Sequence, residues 1–196
     1  MSKKDIPKSV ILEATIALIE QVGIENVTVR GIAEMADVNV AAINYHFGSK
    51  DQLIELALDR TIDELIKDMG AAVDEIAENP EKGLREFLFW MMEGSIRYPK
   101  ITAWHLYEAL YNKNGTSRFV IEFNCLLSRM AAKLSGDKDV QGVVELMLLE
   151  IFSTLFVLGL SPAFYKSFNG IDLSSSEDRV KLSEMFLKQF KDKHIF

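Results

Sequence analysis

Between Thr28 and Phe47 the chain fits two helix-forming stretches around a link of only three residues, Asp37-Val38-Asn39. Thr28 suits the N-cap of the first stretch, which carries Val29, Ile32, Ala33 and Ala36. Asn39 suits the N-cap of the second, Val40 to Phe47. In each case a short side-chain oxygen accepts from a first-turn amide that has no partner inside the helix. So short a link makes the helices pack across each other, as in a helix-turn-helix. Ile32, Ala33 and Ala36 are then predicted to meet Val38, Ile43 and Phe47. Ile43 and Phe47 are four residues apart and share one face. The edge bearing Val40, Ala41, Asn44 and Tyr45 is left pointing outward.

That edge has the chemistry of a major-groove reader. Val40 and Ala41 are small enough to let the backbone come close to a base pair and to touch a thymine methyl, and Asn44 can bond adenine twice. Candidate phosphate contacts surround it. Thr28 and Lys50 sit at helix N-termini, where amides and dipole favour an anion. Arg30, Asn39, Tyr45 and His46 flank the reading helix, and Lys3, Lys4 and Lys8 are candidates for a basic arm. The net charge of −7 argues against an indiscriminate nucleic-acid binder. Residues 1–60 hold six Lys or Arg against nine Asp or Glu. Affinity for phosphate therefore has to come from locally concentrated cations.

Helical periodicity continues along the rest of the chain, with no convincing strand-length alternation, so the expected class is all-α. Pro7 opens a first helix with Ile11, Ala14, Leu18 and Val22 on one face, and Gly23 ends it. Gly48 closes the reading helix, and Ser49 with Gln52 reads as a capping box for a long helix from Lys50 towards Glu78. Asn79-Pro80 caps the next, up to Tyr98-Pro99. Helices follow over Trp104 to Tyr111, Thr116 to Leu134 and Val140 to Leu160, with a break at Asn112-Lys113-Asn114-Gly115. Residues 169–176 read as a loop. Ser174 with Glu177 reads as the capping box of a last helix from Asp178 to Lys191. Short helices before residue 50 and long ones after it suggest two modules, 1–50 and 51–196.

Several function classes drop out. Cys125 is the only cysteine, so neither an internal disulfide nor a cysteine-held zinc is available, which fits a reducing cytoplasm. Glu13 and Glu20 interrupt the stretch a signal peptide would need. Val143 to Leu160 is very apolar but carries Glu145 and Glu150. The uncharged run from Ile151 to Tyr165 contains Pro162 and is too short for a bilayer. The region reads as a buried helix, with no membrane role. His105 and Glu108 are three apart but lack the second Glu-x-x-His segment of a di-iron bundle, so no metal, cofactor or catalytic residue is assigned.

The stretch Gly23 to Leu53 resembles the DNA-binding region of the tetracycline-repressor (TetR) family. The matching residues are Gly23, Thr28-x-Arg30-x-Ile32-Ala33, Ala36-x-Val38 and Ile43-x-Tyr45-His46-Phe47-x-Ser49-Lys50. Asp37 stands where the family usually has a turn glycine, and Asp tolerates a left-handed conformation. Gly31 lies inside a helix, where close packing would explain it. The resemblance implies that Thr28, Tyr45 and Lys50 touch phosphates while Arg30 and the Val40–Asn44 face reach bases. It also implies a homodimeric, ligand-responsive transcriptional regulator, most often a repressor, that is not an enzyme. Such a dimer binds a near-palindromic operator in double-stranded DNA. A small apolar or amphipathic effector is expected in the aromatic region, with Met92, Trp104, Tyr107, Glu108, Tyr111 and Phe123 as its candidate contacts. Residues 140–160 and 178–191 are the expected dimer faces. The alternative is a helical small-molecule-binding protein or enzyme in which the N-terminal helices are structural.

Overall fold

A computed structural model describes residues 7–111 and 117–196. Lys3 and Lys4 of the expected basic arm, and the expected break at Asn112–Gly115, lie outside the described residues. Among those described there are ten α-helices and no strand. They are α1 (Lys8–Val22), α2 (Val29–Met35), α3 (Val40–Phe47), α4 (Lys50–Glu75), α5 (Pro80–Arg97), α6 (Pro99–Tyr111), α7 (Arg118–Ser135), α8 (Lys138–Leu160), α9 (Pro162–Asn169) and α10 (Ser176–Asp192). The chain divides into two compact units, Met1–Glu64 and Leu65–Phe196. The expected module boundary at 50/51 coincides with the start of α4, and the division falls inside that helix. Leu53 and Ala57 are fully buried, and Arg60 reaches back to α1, so the first turns of α4 belong to the N-terminal unit.

In that unit α1 buries Ile11, Ala14, Leu18 and Ile19 and ends at Gly23, whose φ of 85° is costly for any residue with a Cβ. A 3-10 turn, Ile24–Asn26, leads to α2. Gly31 faces α1: a Cβ there would stand 3.0 Å from Leu18 Cδ2 and 3.2 Å from Thr28 Oγ1. Close packing is thus the reason for a glycine within α2. Arg60 binds Glu13 at 2.9 Å and Glu64 at 3.1 Å. Its guanidinium is held above its ordinary pKa, first by the Glu64 hydrogen bond and then by Glu13.

In the larger unit α7 packs on α8, and α5 packs on both α8 and α10. Asn79 caps α5 by accepting from Lys82 N at 3.0 Å, with Pro80 in the first turn. Gly159 of α8 lies so close to Ser95 of α5 that a Cβ would overlap that side chain, which lets the two helices touch backbone to side chain. Asp74 bridges to Arg129 and Lys133 of α7 at 2.8 and 3.1 Å. Its carboxyl sits below its ordinary pKa, chiefly through Lys133.

The final segment departs from expectation in two places. Pro162 does not merely stop the apolar run. It opens an eight-residue helix, α9, because a missing amide hydrogen costs nothing in a first turn. The cap of α10 is Ser175, accepting from Asp178 N at 3.3 Å, one residue after the expected Ser174. Ser174 donates its hydroxyl to Asp172 instead. By length and composition alone Asp139–Leu160 is apolar enough to cross a membrane. One face, with Val144, Met147, Leu148, Ile151, Phe152, Leu155 and Leu158, is however packed into the unit's own core.

Candidate nucleic-acid interface

The site begins with two caps. Thr28 Oγ1 accepts from Gly31 N at 3.0 Å and starts α2, and Asn39 Oδ1 accepts from Ala41 N at 2.5 Å and starts α3. Between them Asp37 takes φ 52°, the left-handed conformation that an aspartate in this turn was expected to tolerate. Ile32, Ala33 and Ala36 of the first helix are buried, as are Ile43 at 1% exposure and Phe47 at 6%. Val38 is half-buried. Burying Ile43 and Phe47 fixes the rotation of α3, since residues four apart move together on a helix.

The opposite edge of α3 is then exposed. Val40, Ala41 and Asn44 lie at the surface, and Tyr45 is 85% exposed. Tyr45 and His46 meet edge to face at 5.1 Å between centroids. Arg30, Thr28 and Asn39 are exposed as well, and His46 is half-buried.

Lys50 ties the phosphate candidates together. Its ammonium donates to the Val27 carbonyl at 3.3 Å, which brings it beside Thr28 although the two are 22 positions apart. An ammonium has three donors, so this bond leaves hydrogens available beside the start of α2. Lys8 belongs to the folded body and not to an arm, since it opens α1 and its Nζ lies 5.8 Å from the centre of the Phe47 ring. It adds a cation near the end of α3. In the sequence the 38 residues between Lys8 and Phe47 conceal that proximity. Glu13 is engaged by Arg60, which offsets one of the unit's acids locally.

The six effector candidates fall into three places in the larger unit. Trp104, Tyr107 and Tyr111 stack in a ladder along α6, with centroids 6.1 and 4.5 Å apart; Tyr107 and Tyr111 are exposed and Glu108 is half-buried. Phe123 belongs to an aromatic cluster with the buried Phe119 and Phe152 and the half-buried Phe156, on which His105 stacks through Phe119 at 5.0 Å. Met92 lines a cavity of about 290 Å³ between α5 and α10, beside Phe89, Arg85 and Arg179. Arg85 and Arg179 were not anticipated from sequence, because α5 and α10 lie almost a hundred residues apart.

Comparison with known proteins places these observations. Residues 11–57 match the family model described as bacterial regulatory proteins, tetR family. The chain is similar to the HTH-type transcriptional regulator BetI 1 of Chromohalobacter salexigens, 27% identical over 95 residues, which is 48% of this chain and 45% of that protein. It is also similar to the probable HTH-type transcriptional regulator YttP of Bacillus subtilis, 29% identical over 96 residues, 48% of this chain and 46% of that one. The matched stretches thus span less than half the length of either relative. The crystal structure of a TetR-like transcriptional regulator from Rhodococcus sp. RHA1 superposes with a TM-score of 0.65 at 15% identity, covering 97% of this chain and 99% of that one. At that identity the likeness speaks for the fold.

Proposed function

We propose that the chain, whose residues 11–57 match the model of the tetR family of bacterial regulatory proteins, is a ligand-responsive transcriptional regulator of that kind, acting as a repressor in the cytoplasm. One observation carries the reading. Ile43 and Phe47 are buried, so α3 is held with Val40, Ala41, Asn44 and Tyr45 on the outside. In this reading Asn44 and Arg30 contact bases, and Val40 and Ala41 allow the close approach. Thr28, Asn39, Tyr45, His46 and Lys50 hold the phosphates. Base contacts specify the site while phosphate contacts set register.

The protein binds as a homodimer, placing two α3 helices in successive major grooves of a near-palindromic operator, about 34 Å apart. The outer face of α8 supports this. Val143, Leu146, Leu149, Val157 and Leu160 are exposed there, and α10 exposes Val180 and Met185. An apolar helix with one face in the core and the other in water is the expected form of a subunit contact. A small apolar or amphipathic effector is bound in the larger unit, in the cavity that Met92 lines between α5 and α10; the other expected contacts, Trp104, Tyr107, Glu108, Tyr111 and Phe123, lie away from that cavity. It acts by binding one conformer better than another, and a coupling of about 1–3 kcal/mol changes operator affinity roughly 5- to 150-fold.

Gel-shift titration on the DNA flanking its own gene tests this. Asn44→Ala and Tyr45→Phe are expected to weaken binding to that DNA, and Lys50→Ala to lower the salt slope by about one. Equal, weak binding of wild type and variants to native and random DNA would refute the regulator reading.

A further inference from the structure

We infer that α9 is a subunit-contact helix, whose Phe164 and Phe168 are buried against a second copy of this chain. The inference rests on the dimer reading above and extends the contact beyond α8 and α10.

Phe164 is 64% exposed and Phe168 is 78% exposed. They are four residues apart on a helix and so stand on one face. Aromatic side chains bury about 150–250 Å² each, so together the pair leaves roughly 200–350 Å² in water. A stable interface needs about 800 Å² from each partner. These two rings therefore represent a quarter or more of what one subunit must supply.

Chain continuity says what covers them. Val157 and Leu160 are exposed at the end of α8, on the face proposed to meet the partner. Phe164 follows Leu160 by four residues, so their Cα atoms are at most about 14 Å apart. That is close to the diameter of one helix with its side chains. A partner seated on Leu160 is thus within reach of α9. Charge points the same way. Helices that lie on a membrane surface are rich in Lys and Arg on the polar face. The one lysine of α9, Lys166, is paired with Asp172 of its own chain at 2.6 Å. A protein surface fits that face better than lipid does.

Sedimentation equilibrium of the full chain tests the inference. Three proteins are compared: wild type, the double variant Phe164→Ser/Phe168→Ser, and the double variant Phe164→Leu/Phe168→Leu. The serine pair is expected to raise the dimer dissociation constant by roughly 100-fold or more, with an unchanged helical circular dichroism spectrum, and the leucine pair to restore much of it. A wild-type dimer whose dissociation constant the serine pair leaves unaltered overturns the role of α9 while the dimer stands. A wild-type monomer at every concentration overturns both.

Should the serine pair not fold, cross-linking decides. Phe168→Cys in a Cys125→Ser background, treated with a short bismaleimide after mixing light and heavy-isotope chains, is expected to give mixed-isotope links. The absence of such links overturns the inference. So does wild-type binding to phosphatidylglycerol vesicles that the serine pair abolishes without changing the dimer.

Discussion

Ile43 and Asn44 are consecutive residues of α3 with opposite surroundings, so truncating each to alanine separates holding the reading helix from reading with it. Ile43 is 1% exposed, and Asn44 is exposed. Ile43→Ala removes three buried carbons, worth about 0.8 kcal/mol each by transfer. The residual cavity adds to this, for a total of about 3 kcal/mol within the 2–5 usual for such changes. A unit of 64 residues holds roughly 3–10 kcal/mol in all, at about 0.05–0.15 per residue. The substitution therefore takes a third or more of what keeps α1 to α3 folded. Asn44→Ala removes no buried contact and should stay within about 0.5 kcal/mol.

The assay is amide hydrogen exchange of the full-length chain, read by mass spectrometry on peptides from residues 11–47. A loss of 3 kcal/mol corresponds to about 100-fold faster exchange of the best-protected amides, since 1.4 kcal/mol is a factor of ten. Ile43→Ala is expected to show that acceleration, and Asn44→Ala to show none while weakening operator binding. If Asn44→Ala accelerates exchange as much as Ile43→Ala, the assignment of inner and outer faces on α3 is wrong, and the proposed DNA contacts go with it.

Two further predictions concern the larger unit. Gly159→Ala places a methyl group against the Ser95 side chain and should cost about 1–3 kcal/mol by overpacking, read as a lower urea midpoint; Ser95→Gly in the same chain should recover part of the loss, and additive effects would argue against the contact. Asp172 accepts from Lys166 and from the Ser174 hydroxyl and amide, which draws its pKa from the ordinary 3.8 down to about 2, with Lys166 the largest cause. A depressed carboxyl stabilises the fold fully above its unfolded value, and the contribution fades as pH falls through the folded value. Thermal melts of wild type and Asp172→Asn should therefore differ above about pH 4 and converge by about pH 2, whereas a gap that persists below pH 2 would exclude a charge-based role.

What could be read in the sequence was what the chain decides within a few residues. The caps Thr28 to Gly31 and Asn39 to Ala41 each span three residues or fewer, and the turn at Asp37 depends on its own φ. The expected outer edge of α3 follows from those local choices together with the Ile43–Phe47 spacing. Where the local signal was repeated or double-edged, it slipped. Three serines in a row, Ser174 to Ser176, offer competing caps, and Asp172, two residues before Ser174, settles the choice by taking its hydroxyl. A proline after an apolar run ends one helix and equally well starts another, so α9 stayed hidden. The aromatic residues show a different limit. Trp104 and His105 are neighbours, yet one joins an outward ladder and the other stacks on a buried phenylalanine. Which face of α6 turns inward depends on its packing against other helices, α8 among them, which begins 27 positions after α6 ends. A helix that reads DNA has to expose its edge, and the sequence marks that edge by the apolar residues opposite it. A residue that binds a small molecule has to be enclosed by several helices at once, and no single stretch of chain carries that mark.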